Sequence, residues 1–238
     1  MSSKTLYFPL ILVVILIMSY NCSKKGISIP NPTPGTPVTD IDGNVYKTVI
    51  IGTQQWMAEN LKVTRYRNGD TIPNVTDTTW LTLQSGAYCW YNNDTNDTAA
   101  YKTTYGALYN WYSVNDSRNL APEGWHIPTD ADWTILTTFL GGDSIAGAKL
   151  KETGTLHWYN PFPGVTNETG FTARPGGCLS NSDTFIYLGD YGYWWSVTAE
   201  STSAAWFRGM YFTNSVFRNK VSKISGFSVR CLKDRNIN

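Results

Sequence analysis

Gly124–Trp133, GWHIPTDADW, and Gly226–Asp234, GFSVRCLKD, are the two stretches on which the fold turns. The first reads as a buried turn feeding a helix. Thr129 stands three residues before Asp132, the spacing of a capping box with Asp in place of Glu or Gln. Trp133, Leu136 and Leu140 then recur on one helical face, and Gly141 and Gly142 supply a stop. The second stretch reads as a closing strand beside that helix in one compact body.

Outward from these, Val45 to Trp56 is β-branched and broken by Gly52, which predicts a hairpin, and Glu59 to Arg67 reads as a strand entering a turn at Asn68–Asp70. Tyr105 to Val114 places Leu108, Trp111 and Tyr112 on one side at helical spacing, a second, shorter helix. The polar run Asn92 to Ala100 is expected to be a loop. Phe185–Gly189, Tyr193–Thr198, Ala204–Phe212 and Phe227–Leu232 are strand candidates for a central sheet. The expected class is α+β, with short strands, two main helices and long loops.

The segments GAYCWYNNDTND (Gly86–Asp97), YGALYNWYSVN (Tyr105–Asn115), APEGWHIPTDADW (Ala121–Trp133), AGAKLKETGTLHW (Ala146–Trp158), TNETGFTARPGG (Thr166–Gly177), YGYWWSVTAESTSAAWFRGMYF (Tyr191–Phe212) and GFSVRCLKD together resemble the Fibrobacter succinogenes major paralogous domain. That domain is in turn similar to the formylglycine-generating, sulfatase-modifying enzymes. Ile127, Pro128, Thr129 and Asp130 follow one of their motifs, with His126 where those enzymes have arginine, and Gly226–Phe227 begins another. The resemblance implies a C-type-lectin-like, sulfatase-modifying-factor-like core without the enzyme's activity. The oxidase needs a pair of cysteines near the C-terminal end, where this chain has Cys231 alone.

The N-terminal end predicts export. Lys4 precedes an apolar run from Leu6 to Met18 that as a helix spans roughly 20 Å, short of a ~30 Å hydrocarbon core. Residues 1–21 read as a signal peptide and Cys22 as an acylated first residue, in a cleavage context resembling lipoproteins of Bacteroidota. Residues 22–37, with Pro30, Pro32, Pro34 and Pro37, read as a tether of polyproline geometry, and residues 38–238 as one globular domain. The expected location is the cell envelope, lipid-anchored to the outer membrane and facing the periplasm or the exterior.

Charge and composition narrow the function. Nineteen basic residues stand against 18 acidic ones, a balance that argues against nucleic acid as partner. Ten Trp, 15 Tyr and 9 Phe among only 16% charged residues point to an aromatic core, to an aromatic binding face, or to both. Neither His126 nor His157 forms a readable catalytic dyad, and both are expected to be structural. No cofactor is implied. The oxygen-rich run at Asn92, Asn93, Asp94, Asn96 and Asp97 lacks the central glycine and terminal glutamate of a calcium loop, so no metal is expected there.

Three cysteines follow Cys22. Related domains have a cysteine shortly before the Gly-Trp-His turn that pairs with the one in the closing strand; here Leu120 stands near that place. Cys178 to Cys231 is the alternative bridge, worth on the order of 4 kcal/mol on the chain-entropy model, and three free thiols are the other outcome. The functional expectation is a non-catalytic recognition domain for glycan or protein, with Tyr191, Tyr193, Trp194, Trp206 and Tyr211 as candidate ligand contacts. A scaffold module without a small ligand is the second reading. A glycoside-acting enzyme using Asp183, Asp190 or Glu200 is the third.

Overall fold

The computed structural model describes residues 32–93, 98–160 and 163–235. Twelve strands within them form three sheets. The first sheet contains β1 (Thr33–Thr39), β2 (Val45–Ile51), β3 (Gln54–Met57), β6 (Trp125–His126) and β12 (Leu232–Lys233), in the order β1-β2-β3-β12-β6. The second contains β7 (Gly176–Leu179), β8 (Phe185–Leu188), β9 (Gly192–Ala199), β10 (Ala204–Met210) and β11 (Val216–Ser222), in the order β11-β10-β9-β7-β8. The short strands β4 (Tyr88–Cys89) and β5 (Leu108–Tyr109) form the third.

The two deciding stretches meet, but the closing strand is shorter than expected and is not in the sheet of β8, β9 and β10: only Leu232–Lys233 forms β12, while Phe227 and Ser228 make isolated bridges. Leu232 of β12 pairs with Trp56 on one side and His126 on the other, so the closing strand is laid between the hairpin and the Gly-Trp-His turn. The β2–β3 hairpin turns at Gly52, whose φ of 60° is one that glycine adopts without strain. Phe139 packs against this glycine so closely that a Cβ would sit 2.9 Å from the ring.

Among the described residues four α-helices accompany the sheets: α1 (Thr98–Tyr105), α2 (Trp111–Val114), α3 (Asp130–Phe139) and α4 (Asp143–Leu150). In α3 both capping-box bonds are made, Asp132 N–H to Thr129 Oγ1 and Thr129 N–H to the Asp132 carboxylate. The helix lies between the sheets. Gln54 donates to the Asp132 carbonyl from the first, and Trp133 donates its indole N–H to the Trp195 carbonyl of the second.

The expected α+β, C-type-lectin-like arrangement with two main helices is not what forms. The described chain is mostly β, its α-helices are four to ten residues long, and the second predicted helix divides into β5 and the single turn α2. The reason is local: Asn110 accepts the Ser113 N–H and so begins the turn afresh, while Leu108 and Tyr109 are drawn into pairing with β4. Glu59–Arg67 contributes an isolated bridge from Arg65 to Thr71 rather than a strand. Conversely, Gly141 and Gly142 end α3, but Gly142 also serves as N-cap of the unpredicted α4. Strand β11 was likewise missed, because Val216–Ser222 is mostly polar and edge-placed.

Two further expectations change. Thr33 to Pro37, the end of the segment read as a tether, belongs to β1 and pairs with β2 across a register shift. The predicted loop at Asn92–Ala100 runs into α1 from Thr98, and residues 94–97 lie outside the described residues. So do the signal peptide and Cys22.

Nine of the ten tryptophans are buried, and Trp206 is the exception. One cluster gathers Tyr109, Trp111, Trp195, Phe207 and Phe227; a second gathers Trp56, Trp133, Trp158, Phe171 and Trp194 around α3. Burying such large rings contributes the main share of the hydrophobic driving force.

Candidate functional site

The five aromatic candidates divide between the two faces of the second sheet. Residues alternate in direction along a strand, and the register pairs Arg208 of β10 with Trp194 of β9 and Phe207 with Trp195. Tyr193 therefore points with Phe207 to one face, and Trp194 points with Trp206 and Arg208 to the α3 face.

Trp194 is 0% exposed and donates its indole N–H to Asn60 Oδ1 at 2.8 Å. It is a core residue and cannot stack on a ligand, which corrects its assignment. Trp206 is half-buried beneath the Arg218 guanidinium, 3.4 Å above its ring. Arg218 and the buried Arg208 both bond Asp130 at the start of α3, so this face is closed by ion pairs. Trp206 is thereby separated from the tyrosines.

The tyrosines come together. Tyr211, Tyr191 and Tyr193 stack in parallel, 5.4 Å and 5.7 Å apart at interplanar angles of 5° and 4°, and Tyr193 continues the column onto Phe227 in the core. Tyr193 is buried, and its desolvation pushes the phenol pKa well up. Its role is to support Tyr191, which is half-buried. Tyr187, 48% exposed, flanks the column 4.8 Å from Tyr191 and 6.4 Å from Tyr193, and at the outer end Phe212, at 53%, meets Tyr211 edge-on. Tyr159, 63% exposed, packs its ring over Gly189 and donates its N–H to the Gly189 carbonyl.

Two devices hold this face. Tyr187 has φ 67°, an uncommon value for a bulky side chain, opposite Gly177 at φ 60°, where a Cβ would lie 2.5 Å from the Ile186 carbonyl oxygen. The kink is closed by the Asp190 and Tyr191 N–H groups on the Tyr187 carbonyl, which returns Tyr191 beside Tyr187. The Tyr211 end is held by Lys151, whose buried ammonium donates to the Tyr211 and Thr213 carbonyls at 2.8 and 2.6 Å. Burial pushes that lysine pKa down to about 8. Tyr187, Tyr159 and Phe212 were not singled out in the sequence; the bounding Gly189 was the only local hint.

A second feature had no signal in the sequence. A cavity of about 530 Å³ opens between β1, the β2–β3 hairpin, α1 and the Gly170–Arg174 segment. Lys47, Glu59, Asn60, Lys62, Arg174 and Arg230 lie in its lining, drawn from positions as far apart in the chain as 47 and 230.

The cysteines and histidines occupy structural positions, while Asp183 is half-buried and Asp190 exposed. Cys89, Cys178 and Cys231 are buried free thiols, so the Cys178–Cys231 bridge is not formed. The two belong to different sheets, Cys178 in β7 and Cys231 next to β12. Burial raises all three thiol pKa values, Cys178 to about 12, which suppresses the reactive thiolate. Both histidines bond carboxylates: His126 Nδ1 lies 2.6 Å from Asp234 Oδ1, and His157 Nδ1 lies 2.5 Å from Glu152 Oε2. Glu200 is engaged by Lys220. Among the described residues no group of three His, Cys, Asp or Glu side chains is placed to hold a metal, and no helix is long and apolar enough to cross a membrane.

The family model of the Fibrobacter succinogenes major domain matches residues 49–233, more than half of the chain. The chain belongs to that family. No curated protein and no solved structure matches it, so the C-type-lectin-like assignment is left without a structural relative. The matched segment of this Fibrobacter succinogenes major domain runs from β2 to β12, and includes the tyrosine face and most of the cavity lining.

Proposed function

We propose that this protein is an envelope-anchored, non-catalytic recognition module that binds an extracellular glycan or protein through its tyrosine face. One observation carries the reading: Tyr191 and Tyr211 stack in parallel and, flanked by Tyr187 and Phe212, present a preformed, partly exposed aromatic surface. Such rings offer a flat apolar area with a polar hydroxyl tip and lose little side-chain entropy on contact. Family membership supports a role as one surface domain among paralogues. The Cys22 lipid anchor and the export signal supply the location in this reading.

A glycan array and a pull-down from envelope extract with the full-length protein test it. Saturable binding should weaken about tenfold or more in Tyr211→Ala and Tyr187→Ala, with circular dichroism unchanged, as expected for truncating central aromatic contacts. Binding that is indifferent to both substitutions refutes the tyrosine face. No ligand in either assay favours the scaffold reading instead. Intact mass of the membrane-extracted chain, with or without acyl mass on Cys22, decides the anchor.

A further inference from the structure

The cavity beneath β1 contains a charge that the fold does not neutralise. Arg230 lines it and is 1% exposed. Its Nε and Nη2 donate to Asn60 Oδ1 at 3.1 and 2.9 Å, its Nη1 donates to the Phe171 carbonyl, and its Nη2 also donates to the Thr172 carbonyl at 3.3 Å. All of these partners are neutral. The cation is otherwise faced by rings, with Phe171 at 4.1 Å and Trp194 at 5.9 Å. No carboxylate bonds the guanidinium directly, Glu59 attracting it only through space, and buried charges are ordinarily paired by direct contact.

The surrounding lining compounds the excess. Lys47, Lys62 and Arg174 stand with Arg230 against a single lining carboxylate, Glu59. Arg174 is balanced by Glu152, 2.9 Å away and outside the lining. Lys47 and Lys62 form no ion pair among the described residues; Lys62 rests over the Tyr46 ring at 5.4 Å. Burial, followed by repulsion from Arg174 and opposed by attraction to Glu59, pushes the Arg230 pKa down to about 9, so the guanidinium is still charged at neutral pH. With Arg174 balanced by Glu152, the lining sets Lys47, Lys62 and Arg230 against Glu59 and so carries a positive excess. A volume of about 530 Å³ suits a molecule of monosaccharide or small-peptide size.

We propose that this cavity is a binding site for a small organic anion whose carboxylate or phosphoryl group supplies the missing counter-charge. Low-dielectric walls strengthen that attraction, and Lys47 and Lys62 draw the anion to the mouth. The site is distinct from the tyrosine face and does not depend on it.

Three probes with the same hexose body separate charge from shape: glucose, glucuronate and glucose 6-phosphate. They are titrated into the full-length chain in detergent micelles at constant ionic strength, and the thermal midpoint is followed. A ligand that binds only the folded state raises the midpoint, here by about 2 °C or more at about 10 mM for at least one charged probe and not for glucose. Whichever of the two acts identifies the preferred anionic group. The double variant Lys47→Gln/Lys62→Gln, which breaks no ion pair, should weaken binding about tenfold, and Tyr187→Ala should leave it unchanged. No shift with either charged probe, an equal shift with glucose, or undiminished binding in the double variant overturns the proposal.

Discussion

Replacing Trp194 by alanine tests whether the middle of β9 is core or contact surface. The side chain is 0% exposed, its ring covers Gly192 so closely that a Cβ there would lie 2.3 Å from Cη2, and its N–H bonds Asn60. Truncating a fully buried tryptophan removes its transfer free energy and leaves a cavity, together about 3–5 kcal/mol. The lost hydrogen bond contributes about 1 kcal/mol within that range, not more, because Asn60 Oδ1 keeps Arg230 as donor. The expected loss is therefore about 4 kcal/mol, a large part of the 5–15 kcal/mol typical of a whole domain. For a chain of this size that lowers the thermal midpoint by roughly 8–16 °C. Urea unfolding followed by far-ultraviolet circular dichroism measures it without relying on the fluorophore being altered. Leu156→Ser, at an 83% exposed position, is the control and should stay within about 0.5 kcal/mol. A Trp194→Ala loss under about 1.5 kcal/mol, at unchanged urea dependence, would refute the placement of this side chain in the core.

Three other outcomes are expected. Bonding to Asp132 and then to Asp234 raises the His126 pKa above its ordinary 6.5, so its contribution to stability is complete below that pH and is lost as pH rises through the folded value; the stability difference between wild type and His126→Gln should shrink from pH 6 to pH 9 in chemical denaturation, and a constant difference contradicts it. Gly147→Ala in α4 should destabilise although alanine is the better helix former by about 1 kcal/mol, because its Cβ would lie 2.6 Å from the Ser215 carbonyl oxygen, and a raised melting temperature would contradict that packing. Cys89, Cys178 and Cys231 should react with a maleimide only after denaturation, with all three modified in urea under non-reducing conditions; a modified count one-third of that would indicate a bridge.

Much of this architecture is written in short-range pattern. The capping box of α3 needs only Thr129 and Asp132, the hairpin needs β-branched runs around Gly52, and the strands β8, β9 and β10 follow from aromatic and β-branched runs between turn residues. Family kinship was equally legible, since it rests on contiguous motifs. Where local signals compete, they mislead: Leu108 and Trp111 keep helical spacing, yet the pairing of β4 with β5 takes the first and Asn110 restarts the chain for the second.

Tyr193 and Trp194 mark what sequence alone left open. They are neighbours of similar character, and strand alternation guarantees that they face opposite ways. It does not say which face α3 and the first sheet will cover. Only assembly of the two sheets decided that Trp194 is sealed beside Asn60 while Tyr193 props a tyrosine column reaching the surface. The same holds for Arg230, an ordinary arginine in a closing strand until Asn60, Phe171 and Thr172 are folded around it. Burial and unbalanced charge are properties of neighbours distant along the chain, and no local pattern of residues encodes them.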